Sequence, residues 1–197
     1  VRDLQAWTSL PAHQGISAHP LGPHAPEVWI LGSSNYGAQL AAHFGLPYAF
    51  AWFFTDGKGG PEALNLYREL YKPSAHHPKP HTALCVWALA AETEEEAQFH
   101  FSSRAHVRLL RDRGIFAPLE PAAVAAAHPY TEAEAARIAD FRKTSFVGTG
   151  TQVAERINEL ANRLNVQEMA VVTWAHDETV RRENYRLLAK AMGMSGG

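Results

Sequence analysis

Short apolar runs alternate along the chain with segments in which apolar residues recur every three or four positions. Four runs are typical of buried strands, and they occupy residues 28–31, 46–54, 82–90 and 169–174. The segments between them have the spacing of helices with one buried face. Because runs and periodic segments alternate, the pattern predicts βαβ units and an α/β fold with a mostly parallel sheet.

Capping residues mark where the predicted helices begin and end. Asn35 can cap a helix that runs to Phe44 and stops at Gly45, and Pro61 suits the first turn of the next helix. Asp177 can cap the last helix. Capping-box sequences begin three further helices, at 93–96, 131–134 and 149–152.

The number of strands limits the architecture. A (β/α)8 barrel needs eight strands and usually about 250 residues, whereas this chain has 197 residues and four predicted strands. We therefore expect half of such a barrel or a small open sheet. We treat 1–197 as a single domain, with a lead-in loop and short helix at 1–27 and an irregular insertion at 112–130.

Composition excludes several classes of function. Hydrophobic residues make up 46% of the chain, charged residues 19%, and the net charge is −2. This balance lacks the basic excess of nucleic-acid-binding proteins, and no apolar run approaches the ~20 residues that cross a bilayer. The first residues lack the basic head and apolar core of a secretory signal and the chain has a single cysteine, Cys85, so we expect a cytoplasmic location. The eleven histidines lack ligand spacing, so we predict no metal site.

The sequence Gly-Ser-Ser-Asn at 32–35 follows the first predicted strand, where α/β proteins bind ligands. Small residues let a ligand approach the backbone, two hydroxyls add donors, and the N-terminus of the next helix favours a phosphate. The alternative is a tight turn in which Ser34 or Asn35 only caps its own helix. The residues alone leave both interpretations open.

Aromatic residues gather at the ends of the predicted strands. Trp52 and Trp174 each end a strand and are predicted to lie near the same rim. An aromatic pocket with a phosphate at one end would suit flavin mononucleotide. The alternative, which is favoured for any single aromatic residue except Trp52, is a place in the core; Trp52 precedes a polar loop and could face the rim. Cys85 lies inside a strand and is interpreted as a packing residue. No pattern identifies a catalytic residue.

The chain contains, in order, the segments LGSSNYGAQLAAHFGLPYAFAWFF, ALAAETEEEAQ, FVGTGTQVAERINELANRLNVQEMAVVT and HDETVRRENYRLLA. Together these segments resemble bacterial luciferase-like, flavin-dependent monooxygenases. The segment around the family's fifth and sixth barrel strands is similar to LGSSNYGAQLAAHFGLPYAFAWFF. The family's seventh strand and the acidic helix after it are similar to ALAAETEEEAQ. The family's eighth strand, together with the helix before it, is similar to FVGTGTQVAERINELANRLNVQEMAVVT. The closing helix is similar to HDETVRRENYRLLA.

The resemblance implies a TIM barrel that uses reduced FMN and dioxygen to oxidise a small organic substrate, with a flavin reductase as a further partner. The family's phosphate contacts fall on Ser33 and Ser34, with Gly32, Asn35 and Tyr36 around them. Ala38 also falls on such a contact, through its backbone only, and Trp52 falls beside the flavin ring. These residues are the predicted cofactor site, listed in full as Gly32, Ser33, Ser34, Asn35, Tyr36 and Trp52.

The resemblance begins after the family's fourth strand. We therefore expect the second half of a (β/α)8 barrel, a fragment that needs an N-terminal half with the catalytic residues, or a homo-oligomer that pairs its open edges. The alternative is a non-catalytic, phosphate-binding or self-associating half-barrel module. A flavodoxin-like domain is disfavoured, because no glycine-rich fingerprint follows the first strand. Three positions depart from the family pattern: Cys85, Trp87 and Gly150.

Overall fold

Five parallel strands form one sheet in the part of the chain that this computed structural model describes, residues 1–8, 15–16, 18–19 and 26–194. The strands are β1 (Ile30–Gly32), β2 (Tyr48–Phe50), β3 (Thr82–Ala91), β4 (Phe146–Thr149) and β5 (Glu168–Val172). β2 pairs with β1 and with β3. β3 also pairs with β5 along 83–87 and with β4 along 88–91. The predicted α/β fold with a parallel sheet is confirmed.

Helices connect the strands. The described residues contain α1 (Arg2–Thr8), α2 (Asn35–Phe44), α3 (Trp52–Thr55), α4 (Gly60–Leu70), α5 (Glu94–Asp112), α6 (Ala122–Ala126), α7 (Glu132–Thr144), α8 (Gly150–Leu164) and α9 (Glu178–Ala191). Within this part of the chain, no helix combines the length and the apolar character needed to cross a membrane.

Most predicted helix ends are confirmed by hydrogen bonds. The boxes at 131–134 and 149–152 are complete, and the Thr93 side chain accepts the Glu96 N–H at 3.1 Å. Gly45 ends α2 in the left-handed conformation. The prediction that Asn35 caps α2 is wrong by one position: Ser34 is the extended N-cap residue, and Asn35 is the first helical residue.

Two strands differ from the pattern-based prediction. The second strand ends at Phe50, because Trp52–Thr55 turns into α3. The hydrophobic pattern did not predict β4. This strand has four residues, and because two of them are Gly148 and Thr149, its apolar run is too short to indicate a strand. The region 112–130, predicted to be irregular, contains the short helix α6. The predicted division into a single domain with a lead-in at 1–27 stays a prediction, and much of that lead-in lies outside the described residues.

The two faces of β3 face separate cores, which is why its sequence is apolar at every position after Thr82. Leu84, Val86 and Ala88 pack in a core with α2, α4, α8 and α9. Trp87 and Leu89 point the other way, into a second core formed with α5, α7 and β4. Helices therefore pack against both faces of β3: α2, α4, α8 and α9 on one, and α5 and α7 on the other.

Candidate functional site

The turn between β1 and α2 is fixed by hydrogen bonds from β2 and from the residue that follows it. The carbonyl of Gly32 accepts the Ala51 N–H at 2.8 Å, and the carbonyl of Ser34 accepts the Tyr48 hydroxyl at 3.3 Å. Burial raises the pKa of Tyr48 to about 12, so its hydroxyl remains a donor at neutral pH. These groups of the protein therefore hold the turn in place without any contribution from a ligand.

The polar groups of this turn are open to a ligand. Ser33 and Ser34 are exposed, and their hydroxyls make no hydrogen bond to any described residue. Ser34 does not cap α2 with its side chain. The first N–H groups of α2 therefore lack both an intrahelical acceptor and a side-chain cap. Two free hydroxyls beside an open helix N-terminus form a suitable site for an anion such as a phosphate.

Two glycines let α2 begin directly against the end of β1. A Cβ added to Gly32 would lie 3.3 Å from the Cα of Gly37, and a Cβ on Gly37 would lie 3.4 Å from the Tyr48 ring. Ala38, one position on, is fully buried, so it can contribute only its backbone. The helix N-terminus therefore sits close to the strand end.

Five of the six predicted cofactor residues lie together at this turn. Gly32 ends β1, Ser33 and Ser34 follow, and Asn35 and Tyr36 begin α2, with Tyr36 73% exposed. Their proximity follows from their adjacency in sequence. Their role as flavin ligands stays a prediction.

Trp52, the sixth predicted residue, is held differently. Its ring packs edge-on against Phe50 at 6.3 Å between centroids, and a Cβ on Gly57 would lie only 2.1 Å from it. The ring thus belongs to the core shared with α2 and α4. It does not meet Trp174, which contacts Phe53 instead at 5.6 Å. Trp52 is linked to the turn by the backbone of the preceding residue, Ala51, whose N–H donates to the Gly32 carbonyl, and not by its indole.

An arginine on α5 forms a second polar feature at the same end of the sheet. The Arg104 guanidinium lies 4.2 Å from the Trp87 ring centroid and 4.9 Å from that of Trp174. Sequence analysis did not identify Arg104, because a helical arginine is usually solvated. The helical spacing could have indicated that Arg104 is buried. Arg104 follows Ala97 and Phe101 at helical intervals, and both of those residues lie on the buried face of α5.

Two other candidates have structural roles. Burial raises the pKa of the Cys85 thiol, which disfavours the nucleophilic thiolate. The Asp177 carboxylate accepts the Thr179 N–H at 2.7 Å, and this hydrogen bond holds the pKa of Asp177 below its usual value. The interpretations of Cys85 as a packing residue and Asp177 as a cap agree with this geometry.

Comparison with known proteins identifies one family. Residues 4–167 match the sequence model of a family described as luciferase-like monooxygenase. Protein YwcH of Bacillus subtilis (strain 168) is 38% identical over 179 residues, which are 89% of this chain and 53% of that protein. A luciferase-like monooxygenase of Escherichia coli (strain K12) is 32% identical over 160 residues, 81% of this chain and 48% of the relative. The chain spans about half the length of the curated relatives it matches.

Solved structures share the fold. The crystal structure of apo-MsnO8 superimposes with a TM-score of 0.84 at 29% identity, over 100% of this chain and 60% of that one. The oxygenating constituent of 3,6-diketocamphane monooxygenase from Pseudomonas putida, solved with FMN, gives a TM-score of 0.56 at 20% identity. That match covers 87% of this chain and 49% of the other, and it concerns the fold alone.

Proposed function

The chain belongs to the luciferase-like monooxygenase family, and on this premise we propose that it forms the phosphate-binding half of an FMN-dependent monooxygenase. Such an enzyme would oxidise a small organic substrate with dioxygen and reduced flavin. The observation that carries the proposal is the open turn at 32–36, with its two unpaired hydroxyls beside the N-terminus of α2. The FMN bound in the fold neighbour from Pseudomonas putida supports the choice of cofactor.

The residues present fit the phosphate end of FMN. A phosphate dianion would accept hydrogen bonds from the Ser33 and Ser34 hydroxyls and from the first amides of α2, where the helix dipole also favours it. Tyr48 holds the Ser34 carbonyl and so fixes the turn in its extended conformation. Asn35 and Tyr36 border the same site from the first turn of α2.

The ring end of the cofactor would lie toward the aromatic residues after β2 and β5. Bound FMN would supply the redox chemistry that activates dioxygen, while the side chains of this chain bind and orient it. Trp52 supports this end by packing beneath the loop at 57–60. Trp174 and Phe53 contact each other on the other side of the strand ends, with 5.6 Å between their ring centroids, and would cover this end of a bound flavin.

A complete enzyme would need more strands than the described residues provide. β1 pairs only with β2, and β4 and β5 each pair only with β3, so these three strands keep an open edge within the described chain. We propose that an N-terminal set of strands closes these edges and contributes the catalytic residues. A separate flavin reductase would supply the reduced cofactor.

Titration with FMN tests the proposal. Fluorescence quenching should report FMN binding, and S33A/S34A should weaken it roughly ten- to hundredfold, because two hydrogen bonds to a charged group are lost. Riboflavin, which lacks the phosphate, should bind both proteins equally. The control is T151A, which removes an exposed hydroxyl from the first turn of α8, where Thr149 and Gln152 already form a capping box.

Three results would contradict the proposal. If S33A/S34A bound FMN as well as the parent chain, the turn would not be the phosphate site. If inorganic phosphate bound as tightly as FMN, a phosphate-binding module without flavin chemistry would be favoured. If the chain bound FMN as tightly as a whole family enzyme does, the need for an N-terminal half would be ruled out.

A further inference from the structure

Arg104 is a buried cation with an unused hydrogen-bond donor. Its side chain lies on α5, and the residue is only 5% exposed. Its Nε makes no hydrogen bond to any described residue, and neither does the buried indole N–H of Trp87, the ring that its guanidinium covers. Burying polar groups without partners is costly, so such groups are rare unless a ligand completes them.

A cavity of about 320 Å³ opens beside this arginine. Its volume lies within the usual range for sites that bind small molecules. Three arginines line it, Arg104, Arg108 and Arg111, and the rest of its wall is mostly apolar, with Val107, Trp174 and the loop at 117–119. One part of the cavity is therefore cationic and the other apolar.

The positive charge of the cavity is only partly balanced. Asp56 pairs with Arg108 through both carboxylate oxygens, one of them at 2.8 Å. Glu120, which follows the loop at 117–119, faces His106 at 3.7 Å. Burial and the charge of Arg108 lower the pKa of Arg104 to about 9, so its charged form persists at neutral pH but is disfavoured. An anion in the cavity would relieve that cost.

The cavity lies at the same end of the sheet as the turn at 32–36. Its Trp174 wall follows β5, and Trp174 contacts Phe53, which follows β2. Ligands in α/β proteins bind at this carboxyl end of the strands. A molecule in the cavity would therefore approach a flavin whose phosphate occupied the turn after β1.

We propose that this cavity binds a small organic anion, a carboxylate or sulfonate, as the substrate of the oxidation. Arg104 would hold the oxyanion through its guanidinium, whose planar donors match two oxygens of one group. The apolar part of the molecule would lie against Trp174 and the loop at 117–119. The role as substrate rests on the function proposed above, whereas the binding of the anion rests on the cavity alone.

Calorimetric titration of the full chain tests this assignment with three probes that have six carbons each: hexanoate, hexane-1-sulfonate and 1-hexanol. The two anions should bind at least about tenfold tighter than the alcohol, because only they pair with Arg104. R104Q should weaken anion binding about ten- to hundredfold and leave 1-hexanol unchanged. R104K should recover part of the loss, since it restores the charge without the planar donors.

The control variant is R163Q, which removes an exposed arginine from the last turn of α8, outside the cavity. It should bind every probe as the parent chain does. Equal affinity of the parent chain for hexanoate and 1-hexanol would overturn the proposal without any variant, so a folding defect in R104Q cannot obscure the answer. Hexanoate binding by R104Q at the parent affinity would also overturn it.

FMN titration of the same proteins separates the two proposals. R104Q should bind FMN as the parent chain does, because Arg104 lies on α5 and not at the turn after β1. If the parent chain bound the anions through Arg104 but did not bind FMN, the proposed function would fail and the anion site would stand. If the parent chain bound FMN but showed no preference for anions, the anion site would fail and the proposed function would stand.

Discussion

The polar atoms at the carboxyl end of the sheet divide into those satisfied within the fold and those left for a ligand. The Tyr48 hydroxyl donates to the Ser34 carbonyl, and the Asp177 carboxylate accepts amides of α9. The Ser33 and Ser34 hydroxyls and the Arg104 Nε have no such partner in the described chain. The second group defines the binding surfaces, because its members can bond to a ligand without breaking a hydrogen bond of the fold.

The position of the Trp52 ring depends on one glycine. Gly57 has a φ of 85°, and a Cβ there would overlap the indole, whereas Gly59 has a φ of 78° and no atom within 4 Å of its added Cβ. G59A should cost about 1 kcal/mol of unfolding free energy from backbone strain alone. G57A should cost roughly 1–3 kcal/mol more, because the ring must move.

Urea unfolding and tryptophan emission measure both effects. The emission of G57A should shift relative to that of the parent chain, while that of G59A should not. Equal stability of the two variants would contradict the described packing of Trp52 beneath this loop.

The two groups of ligand-binding residues differ in how far sequence could predict them. Ser33 and Ser34 could be predicted because they directly follow an apolar run, so strand end and donors are adjacent in the chain. Arg104 could not, because its environment is made by Trp87 and Trp174, which lie in distant segments. Only the fold brings those rings to the arginine, and an isolated helical arginine carries no sign of it.

At the scale of elements, a buried asparagine joins α9 to the sheet. Asn184 is fully buried; its Oδ1 accepts the Ala90 N–H, and its Nδ2 donates to the Thr173 hydroxyl, both at 2.6 Å. That hydroxyl in turn donates to the Ala88 carbonyl at 2.7 Å. One side chain thus links the end of β3 to the segment after β5.

Replacing this asparagine should loosen the carboxyl end of the sheet. N184A leaves the buried Ala90 N–H without an acceptor and should lower the free energy of unfolding by roughly 2–4 kcal/mol. N158A, at an exposed position of α8, should change stability by less than about 0.5 kcal/mol. Denaturant unfolding of both variants measures the difference, and a loss below about 1 kcal/mol in N184A would show that the network contributes little.

Helices and long strands were easier to predict than short strands. The capping boxes at 131–134 and 149–152 are local, and their hydrogen bonds formed as the sequence indicated. β4 depends instead on pairing with residues 88–91 of β3, far away in the chain. Its four residues have no apolar pattern of their own, so only the tertiary pairing defines it as a strand.

At the scale of the whole molecule, the described residues form one parallel sheet with helices on one face and a partly covered second face. Leu31, on the edge strand β1, is 56% exposed, and the far edge of β5 is also unpaired within the described chain. Open parallel edges bearing apolar side chains favour association with another chain. The chain by itself should therefore self-associate.

A charge on the edge tests this expectation. The parent chain should sediment as a concentration-dependent mixture, and L31K should shift it toward the monomer, because a lysine on an edge strand opposes pairing. L4K places the same charge at a residue of similar exposure, 52%, on α1 and away from the sheet, and it should leave the distribution unchanged. A parent chain that remained monomeric at all concentrations would contradict the prediction.

The central position of β3 also affects how the chain is made. One side of β3 pairs with β5, whose first residue, Glu168, leaves the ribosome long after Ala91 does. At ~5–20 residues per second, that delay is on the order of 4–15 seconds. During it residues 83–87 of β3, which are apolar on both faces, have an edge whose native partner is not yet synthesised. Nascent chains of this protein therefore pass through a period in which mispairing competes with folding, and chaperones that bind apolar strands would act in that interval.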